Sequence, residues 1–309
     1  MIPPWVPTDI PLRLVRNLET LEGPVDQTVL TRDYTDEAIR HIRLWKGDPF
    51  FIYLAHTMPH KPLYASKQFL NTSRRGLYGD VIEELDWNVG RVLQALKDEG
   101  LDQKTLVIFT NDNGPWLVLK QHGGSAGPLR GAKGSTYEGG IRVPFIVRWP
   151  GRIPAGTASS DLATVMDFLP TFVSMAGGTL PKDLKLDGED ISPLLFNGEN
   201  RHYQRRMFYY RGPDLEAVRE GDWKFRLDAR DPAAEVELFN LELDVSEAFN
   251  LAETFPDRAA EMKKLLDQER EEMIPGPAYQ AAIEGRDMIR SIYNPRGGVK
   301  LEAPGPEIR

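Results

Sequence analysis

The chain contains no cysteine, which excludes disulfides, thiolate metal sites and cysteine nucleophiles together. It has no run of about 18 apolar residues, the length that predicts a membrane-spanning helix. Its opening residues, Met1-Ile2-Pro3-Pro4-Trp5, lack both the basic region and the apolar region of a signal peptide. We therefore expect either a cytoplasmic protein or a chain whose natural start lies further upstream.

Positive charge is in deficit, with 38 Lys and Arg against 46 Asp and Glu and a formal net charge of -8. Because phosphate contacts need a basic face, this balance argues against a general nucleic-acid-binding protein. It does not exclude a small anionic substrate, since one Lys or Arg in a pocket can hold a sulfate at contact distance. The apolar fraction of 41% and the charged fraction of 27% are typical of a soluble globular chain.

Helix-like and strand-like patterns alternate through the first two thirds of the chain. The apolar runs from Phe50 to Leu54 and from Thr105 to Thr110 predict strands that are buried on both faces. Between them, residues Gly79 to Glu99 carry one apolar stripe at helical spacing. The segment from Val143 to Trp149 predicts a third strand. We therefore predict the α/β class, with a mostly parallel sheet flanked by helices, for residues 1–200.

The remaining elements are read from local signals. The first residues are rich in proline and polar side chains and predict an extended arm, followed by a helix that begins with Thr35 as N-cap and runs to Trp45. Met166 to Ala176 predicts a further helix. Short apolar runs separated by glycine and aspartate turns predict a small antiparallel α+β subdomain over residues 201–309. Its predicted elements are strands at Met207–Tyr210, Leu215–Arg219, Trp223–Leu227 and Val236–Phe239 and a helix near Pro256–Glu272.

Asp112 and Asn113 directly follow the end of the second predicted strand. In open parallel sheets this edge is where ligands bind. Carboxylate and amide oxygens are hard donors that suit calcium or magnesium, and neighbouring residues on a turn can both reach one ion. The pair is therefore a candidate metal site, although Asp-Asn-Gly is also ordinary turn chemistry.

His56 and His60 follow the first predicted strand, at the same expected edge. A histidine there could protonate a leaving oxygen or donate to an oxyanion, because its ordinary pKa is close to neutrality. The pair could also bind zinc, but a zinc site needs three or four ligands and the sequence offers no further His/Cys cluster. Loop histidines bonded to backbone are the alternative, and His60 is the stronger functional candidate.

Lys133 lies in a glycine-rich segment, Gly131 to Gly140. Glycines let the backbone approach a ligand closely, and lysine supplies a mobile point charge that suits a sulfate or phosphate oxygen. The spacing of Gly and Lys does not fit a Walker motif. A solvated loop lysine is the alternative interpretation.

These candidates occur within segments that follow one another in a fixed order. The order is Pro59-His60-Lys61-Pro62, Thr110-Asn111-Asp112-Asn113-Gly114-Pro115, Gly131-Ala132-Lys133-Gly134 and Glu138-Gly139-Gly140-Ile141-Arg142-Val143-Pro144. Further matching segments are Gly76-Leu77-Tyr78-Gly79-Asp80, Glu84-Leu85-Asp86, Trp149-Pro150-Gly151, Met166-Asp167-Phe168-Leu169-Pro170-Thr171 and Leu186-Asp187-Gly188. In this combination, over most of residues 25–255, the chain resembles the arylsulfatase family of the alkaline-phosphatase-like superfamily.

The resemblance implies an alkaline-phosphatase-like α/β fold with a small C-terminal antiparallel subdomain, and hydrolysis of a sulfate ester by sulfur-oxygen cleavage. Asp112 and Asn113 match metal ligands of the family, which implies Ca2+; Mg2+ stays open because oxygen ligands serve both ions. His60 matches the histidine that contacts the sulfate and protonates the leaving oxygen. Lys133 matches the lysine that binds the sulfate, and His122 is expected to touch the substrate.

The sequence departs from the family at the nucleophile. The resemblance leads us to expect an early strand with an Asp-Asp pair, then a Cys or Ser followed by x-Pro-x-Arg, which is oxidised to the formylglycine nucleophile. Neither segment is present, and Ser125-Ala126-Gly127-Pro128-Leu129-Arg130 has one residue too many before its proline. We therefore expect the C-terminal portion of a secreted or periplasmic sulfatase whose missing N-terminal segment carries the nucleophile. This chain alone should be nearly inert.

Two other functions stay open. The chain could be a module that holds sulfate without catalysis, or a related phosphodiesterase or phosphonate hydrolase. Asn113, in place of a second histidine-rich metal site, argues against two-metal chemistry of the latter kind. In the sulfatase interpretation the partner is a small-molecule or glycan sulfate ester, with no nucleic acid and no membrane span, and the protein is periplasmic or extracellular.

Overall fold

The computed structural model describes residues 12–198, 205–231 and 233–273. The chain divides into two compact units. The first consists of Met1–Ser125, Val143–Ala158 and Leu195–Gly198, and the second of Ala126–Arg142, Ser159–Leu194 and Glu199–Arg309. The boundary that the sequence places at residue 200 stays a prediction.

The first unit contains a hairpin where the sequence predicts an extended arm. Strand β1 (Leu14–Arg16) pairs antiparallel with β2 (Glu19–Glu22), and Asn17 turns the chain with a φ of 55°. Asparagine tolerates this left-handed conformation better than most residues, so a two-residue turn can close the hairpin. The prediction of an extended arm was wrong for this segment, because its polar composition shows no clear strand pattern. Residues 1–11 of the predicted arm lie outside the described residues.

Two long helices follow. Helix α1 (Leu30–Leu44) packs on α2 (Gly76–Asp98) through a stripe that includes Ile39 and Ile42. The predicted N-cap at Thr35 was wrong, because its hydroxyl donates to the Thr31 carbonyl at 2.8 Å inside the helix. Intrahelical bonding of this kind satisfies a hydroxyl away from a helix end.

Helix α2 ends where the sequence predicts. Gly100 adopts a φ of 71°, and its N–H donates to the Lys97 carbonyl at 3.0 Å. The Leu101 N–H donates to the Leu96 carbonyl at 2.8 Å. This pair of bonds is a Schellman motif, which glycine favours because it has no Cβ to clash in the left-handed conformation.

The sheet of the first unit is smaller than predicted and runs in the other sense. Strands β3 (Val107–Thr110) and β4 (Phe145–Arg148) pair antiparallel. The prediction of a mostly parallel sheet was wrong for the described residues, since the connection between these strands contains no long crossover helix of the kind a parallel pair needs. The predicted strand at Phe50–Leu54, buried on both faces, was also wrong, because the segment has no regular secondary structure and Phe51 and Tyr53 are 70% and 81% exposed.

The second unit contains the remaining helices and the larger sheet. Its helices are α3 (Glu138–Ile141), α4 (Phe168–Met175) and α6 (Pro256–Glu272). Helix α5 (Ser192–Asn197) is divided between the two units after Leu194. Its strands are β5 (Arg206–Arg211), β6 (Asp214–Glu220), β7 (Trp223–Arg226) and β8 (Glu237–Asn240). They form one antiparallel sheet in the order β5-β6-β7-β8, as the sequence predicts.

Helix α6 covers one face of this sheet. Phe225 and Leu238 on the strands pack with Met262 and Leu266 on the helix, and each of the four is 1% exposed or less. Burying such side chains contributes about 1.5–3 kcal/mol each. The charged residues that alternate with them on β7 and β8 lie on the opposite face.

Candidate active site

The metal-ligand pair predicted from the sequence directly follows β3. The strand ends at Thr110, and Asp112 and Asn113 lie in the bend that comes next, with Asp112 exposed and Asn113 half-buried. Asn, Asp and Gly favour such a bend because the polar side chains bond nearby backbone and glycine relieves steric limits. The pair therefore presents carboxylate and amide oxygens at the end of a strand.

The donor chemistry of this pair fits calcium, but the number of donors falls short. Calcium takes about six to eight oxygens, and one carboxylate with one amide offers at most about three. In the ranges that the structure describes, no group of three or more His, Asp or Glu side chains is placed to hold a metal ion. Calcium would need further oxygens to complete its shell.

His60 lies in a loop that apolar side chains pin to α2. Met58 and Ala65, on either side of the histidine, are buried against Val81 of the helix, whereas His60 itself is exposed. Its Nδ1 atom is 2.8 Å from the carbonyl oxygen of Lys61. Since a carbonyl only accepts, this contact assigns the hydrogen to Nδ1 and leaves Nε2 to exchange a proton with another molecule.

Trp116 brings the His60 loop close to the segment that follows the proposed metal ligands. The ring centroids of His60 and Trp116 are 6.4 Å apart, and Lys61 Nζ lies 4.1 Å from the centroid of the Trp116 ring. Trp116 comes three residues after Asn113, so His60 lies near the segment that also contains Asp112 and Asn113. Sequence reasoning missed Trp116, whose only signal was an aromatic residue just beyond a turn.

His122 lies in the loop that begins at Trp116. It is exposed and ends a 3₁₀ segment, Leu117–His122. The Trp116 N–H donates to the Gly123 carbonyl at 3.0 Å, so the segment leaves and returns to nearly the same point. This closure holds His122 near the base of the loop, and its contact with substrate stays a prediction.

His56 differs from His60 in its surroundings. Both of its ring nitrogens are buried, and neither has a hydrogen-bond partner among the described residues. Burial lowers the pKa of His56, so its ring is neutral at neutral pH. A neutral, enclosed imidazole is poorly suited to protonate a leaving group, which favours His60 for that role.

Lys133 belongs to the second unit and lies in a tight turn. The Ser135 N–H donates to the Ala132 carbonyl at 3.0 Å, which makes Lys133 and Gly134 the central residues of the turn. Gly134 has a φ of 88°, as the third position of a type II turn requires. Lys133 is half-buried there. The turn fixes the backbone of the lysine, whose side chain carries a point charge.

Two acidic residues of the matching segments, Asp80 and Glu84, hold nearby backbone in place through hydrogen bonds. Asp80 accepts backbone hydrogen bonds from Asn71 and Ser73 at 2.9 and 2.8 Å, and Glu84 accepts one from Ser66 at 2.7 Å. Both carboxylates are buried. They tie the segment after the His60 loop to α2, since buried carboxylates need such donors.

Comparison with known protein families assigns this chain to a family. The family model described as Sulfatase matches residues 8–178, which is more than half of the chain. The chain belongs to the sulfatase family. A second model, N-sulphoglucosamine sulphohydrolase, C-terminal, matches residues 132–274. The arylsulfatase resemblance of the sequence is confirmed.

Curated sulfatases are similar to a large part of this chain. The N-acetylgalactosamine-6-sulfatase of Canis lupus familiaris is 44% identical over 198 residues, which cover 63% of this chain and 38% of the relative. The steryl-sulfatase of Homo sapiens is 38% identical over 211 residues, covering 67% and 36%. The chain therefore spans less than two fifths of the length of these relatives.

Similar solved structures confirm the fold class. The crystal structure of Ps i-CgsB in complex with k-i-k-neocarrahexaose matches 90% of this chain and 63% of its own with a TM-score of 0.75 and 29% identity. The PsFucS1 sulfatase from Pseudoalteromonas sp. matches 79% of this chain and 53% of its own with a TM-score of 0.72 and 26% identity. The described helices include none long and apolar enough to cross a membrane.

Proposed function

We propose that this chain supplies the sulfate-binding and proton-donating residues of a sulfatase that hydrolyses a sulfate ester. The observation that carries the proposal is the His60 loop, in which Nδ1 bonds the Lys61 carbonyl and leaves Nε2 for the reaction, in a chain of the sulfatase family. A positioned histidine of this kind accelerates proton transfer by about 10^2–10^4. His60, carrying a proton on Nε2 as well as on Nδ1, would contact the sulfate and give its Nε2 proton to the leaving oxygen.

Lys133 would bind the sulfate group. Charge develops on the leaving oxygen and persists on the sulfate oxygens as the sulfur-oxygen bond breaks, so a fixed cation stabilises the transition state. The turn through Gly134 supports this role because it fixes the lysine backbone. His122 would touch the substrate from its exposed position in the Trp116 loop.

Asp112 and Asn113 would be ligands of calcium, with magnesium as the alternative. When bound, such an ion neutralises sulfate charge and polarises the ester. Because the two residues supply too few oxygens, the ion would need further ligands, which can be other side chains, backbone carbonyls or water. The nucleophile of the family is a formylglycine, and this sequence has no matching Cys or Ser.

The substrate would be a sulfate ester of a glycan or of a small molecule. The names of similar proteins include both kinds, an N-acetylgalactosamine-6-sulfatase and a steryl-sulfatase. The net charge of -8 does not favour nucleic acid as a partner. A periplasmic or extracellular location would bring such a protein to sulfated glycans.

Sulfate binding by the full chain tests the proposal. We expect isothermal titration with sodium sulfate, against sodium chloride at matched ionic strength, to show binding that Lys133→Ala weakens about tenfold, because one charge-assisted hydrogen bond is lost. Lys185→Ala is the control, since the Lys185 side chain is 82% exposed, and it should stay within about twofold of wild type. Equal affinities for wild type and Lys133→Ala would remove Lys133 from the sulfate site.

A further inference from the structure

The face of the β5–β8 sheet that α6 leaves uncovered is charged and nonetheless buried. We call it the ionic face: Glu216, Lys224, Arg226, Glu237 and, just beyond β8, Glu247. Glu216, Lys224 and Glu247 have 0% exposed surface. Buried charges are costly unless each is paired and hydrogen-bonded. The partners come from residues 130–142, which contain the Lys133 turn and are called the lysine loop below.

Thr136 is the first anchor of the lysine loop. Its hydroxyl donates to Glu216 Oε2 at 2.8 Å and accepts from Arg226 Nε at 3.0 Å, and its side chain is fully buried. Glu216 is the extra residue of a β-bulge, because Tyr209 pairs with Ala217 and Tyr210 with Leu215. Bulges re-aim side chains. One hydroxyl thus joins the loop to two strands.

Glu138 is the second anchor. Its carboxylate is 2.9 Å from Lys224 Nζ, and its backbone N–H donates to Glu247 Oε2 at 2.6 Å. Lys224 completes the triangle with Glu247 Oε1 at 2.8 Å. Glu247 also holds a φ of 51°, which residues other than glycine rarely adopt. A strained backbone of this kind persists only where the surroundings over-determine it.

Tyr137 lies between the two anchors and is clamped as well. Its hydroxyl donates to Glu237 Oε2 at 2.7 Å. The guanidinium groups of Arg130 and Arg226 each lie 4.1 Å from its ring centroid. Burial and the Glu237 hydrogen bond raise the pKa of Tyr137 to about 12, so the hydroxyl remains a donor at neutral pH. Three consecutive residues of the lysine loop therefore bond the ionic face.

The lysine loop is also closed on itself, which links its anchors to Lys133. The Gly139 N–H donates to the Arg130 carbonyl at 2.7 Å. A Cβ at Gly139 would come within 2.5 Å of that same oxygen, so only glycine permits this closure. Ser135, which closes the Lys133 turn, immediately precedes Thr136. A shift of the anchors would therefore be transmitted to the turn within one or two residues.

We infer that the ionic face is a positioning device for Lys133, in which Thr136 and Glu138, bound by Glu216, Arg226, Lys224 and Glu247, fix the turn that presents the lysine to sulfate. The inference rests on the proposed function, because that function gives Lys133 its ligand. None of the five ionic-face residues is assigned a contact with the sulfate; they act through the lysine loop.

The test uses the two substitutions Thr136→Val and Thr136→Ser in the full chain. Valine keeps the shape and removes the hydroxyl, whereas serine keeps the hydroxyl. We expect Thr136→Val to weaken sulfate binding about tenfold and to raise amide exchange across residues 131–138 roughly tenfold or more, while Thr136→Ser restores both to within about twofold. Combined with Lys133→Ala, Thr136→Val should weaken sulfate binding no further.

The outcomes separate this inference from the proposed function. Wild-type sulfate affinity in Thr136→Val would overturn the positioning role. If Thr136→Val weakens sulfate binding equally in the Lys133→Ala background, its effect is a general structural one, and the positioning role is overturned as well. If Lys133→Ala binds sulfate as wild type does, the proposed sulfate site fails. The amide-exchange data then test only whether Thr136 anchors the lysine loop. Unchanged exchange in Thr136→Val overturns the anchoring, and faster exchange confined to the lysine loop supports it.

Discussion

Lys224→Met is expected to destabilise the second unit by about 3–5 kcal/mol, the cost of breaking a buried ion pair. Lys224 has 0% exposed surface and pairs with Glu138 at 2.9 Å and Glu247 at 2.8 Å. Burial already raises the pKa of the Glu247 carboxyl, and the charge of Lys224 opposes that shift. Removing the lysine leaves two buried carboxylates, of which Glu138 keeps Arg219 at 3.7 Å.

Urea unfolding of the full chain measures this loss. The control is Lys263→Met, whose pair with Asp267 is on the surface of α6, and it should change the unfolding free energy by less than about 1 kcal/mol. Replacing Glu247 by Gln together with Lys224→Met should recover much of the loss, because Glu138 and Arg219 then remain as a charge pair. A Lys224→Met protein as stable as wild type would contradict the buried pairing of Lys224.

Asp167→Asn is the second change with a large expected effect, again about 3–5 kcal/mol. Asp167 is fully buried and accepts from the backbone N–H of Thr164 at 2.6 Å and of Glu189 at 2.9 Å. Its two oxygens also pair with the Arg205 guanidinium at 2.7 and 2.5 Å. Asparagine has one acceptor oxygen, and its NH2 group would face donors.

The same unfolding experiment checks this expectation, with Asp183→Asn as the exposed control. Asp167 lies in one of the segments that resemble the arylsulfatase family, so a functional role would instead leave stability unchanged and lower sulfate binding. Unfolding at the wild-type urea concentration would count against a structural role for Asp167. If Asp167 has a structural role, the sulfate affinity of Asp167→Asn should fall only as far as the fraction of folded protein falls.

Local signals sufficed for much of the fold. Helix α6 runs from Pro256 to Glu272 as predicted, because proline at the first turn and the apolar spacing act within the segment itself. The strands from β5 to β8 were placed to within about two residues by their turn residues. The direction of β3 against β4 could not be found this way, since strand pairing depends on residues far apart in sequence.

In the candidate site, too, some features could be predicted from local sequence and others could not. The position of Asp112 and Asn113 after β3 follows from a short apolar run and a turn cluster, both local. The ionic face does not: Lys224 and Arg226 alternate with apolar residues as solvent-facing side chains do, yet they are bonded to the lysine loop, some 90 residues earlier. Whether His60, His122, Lys133 and the metal ligands act as proposed stays a prediction.

Hydrolysis of an aryl sulfate by the protein expressed from its complete gene tests the central claim most directly. We predict hydrolysis by wild type, a loss of about 10^2–10^4 in kcat for His60→Ala, and a loss of about 10^2–10^3 for Lys133→Ala, with Lys185→Ala unaffected. A protein that hydrolyses no sulfate ester, or one in which His60→Ala and Lys133→Ala retain wild-type rates, would contradict the proposed sulfatase function.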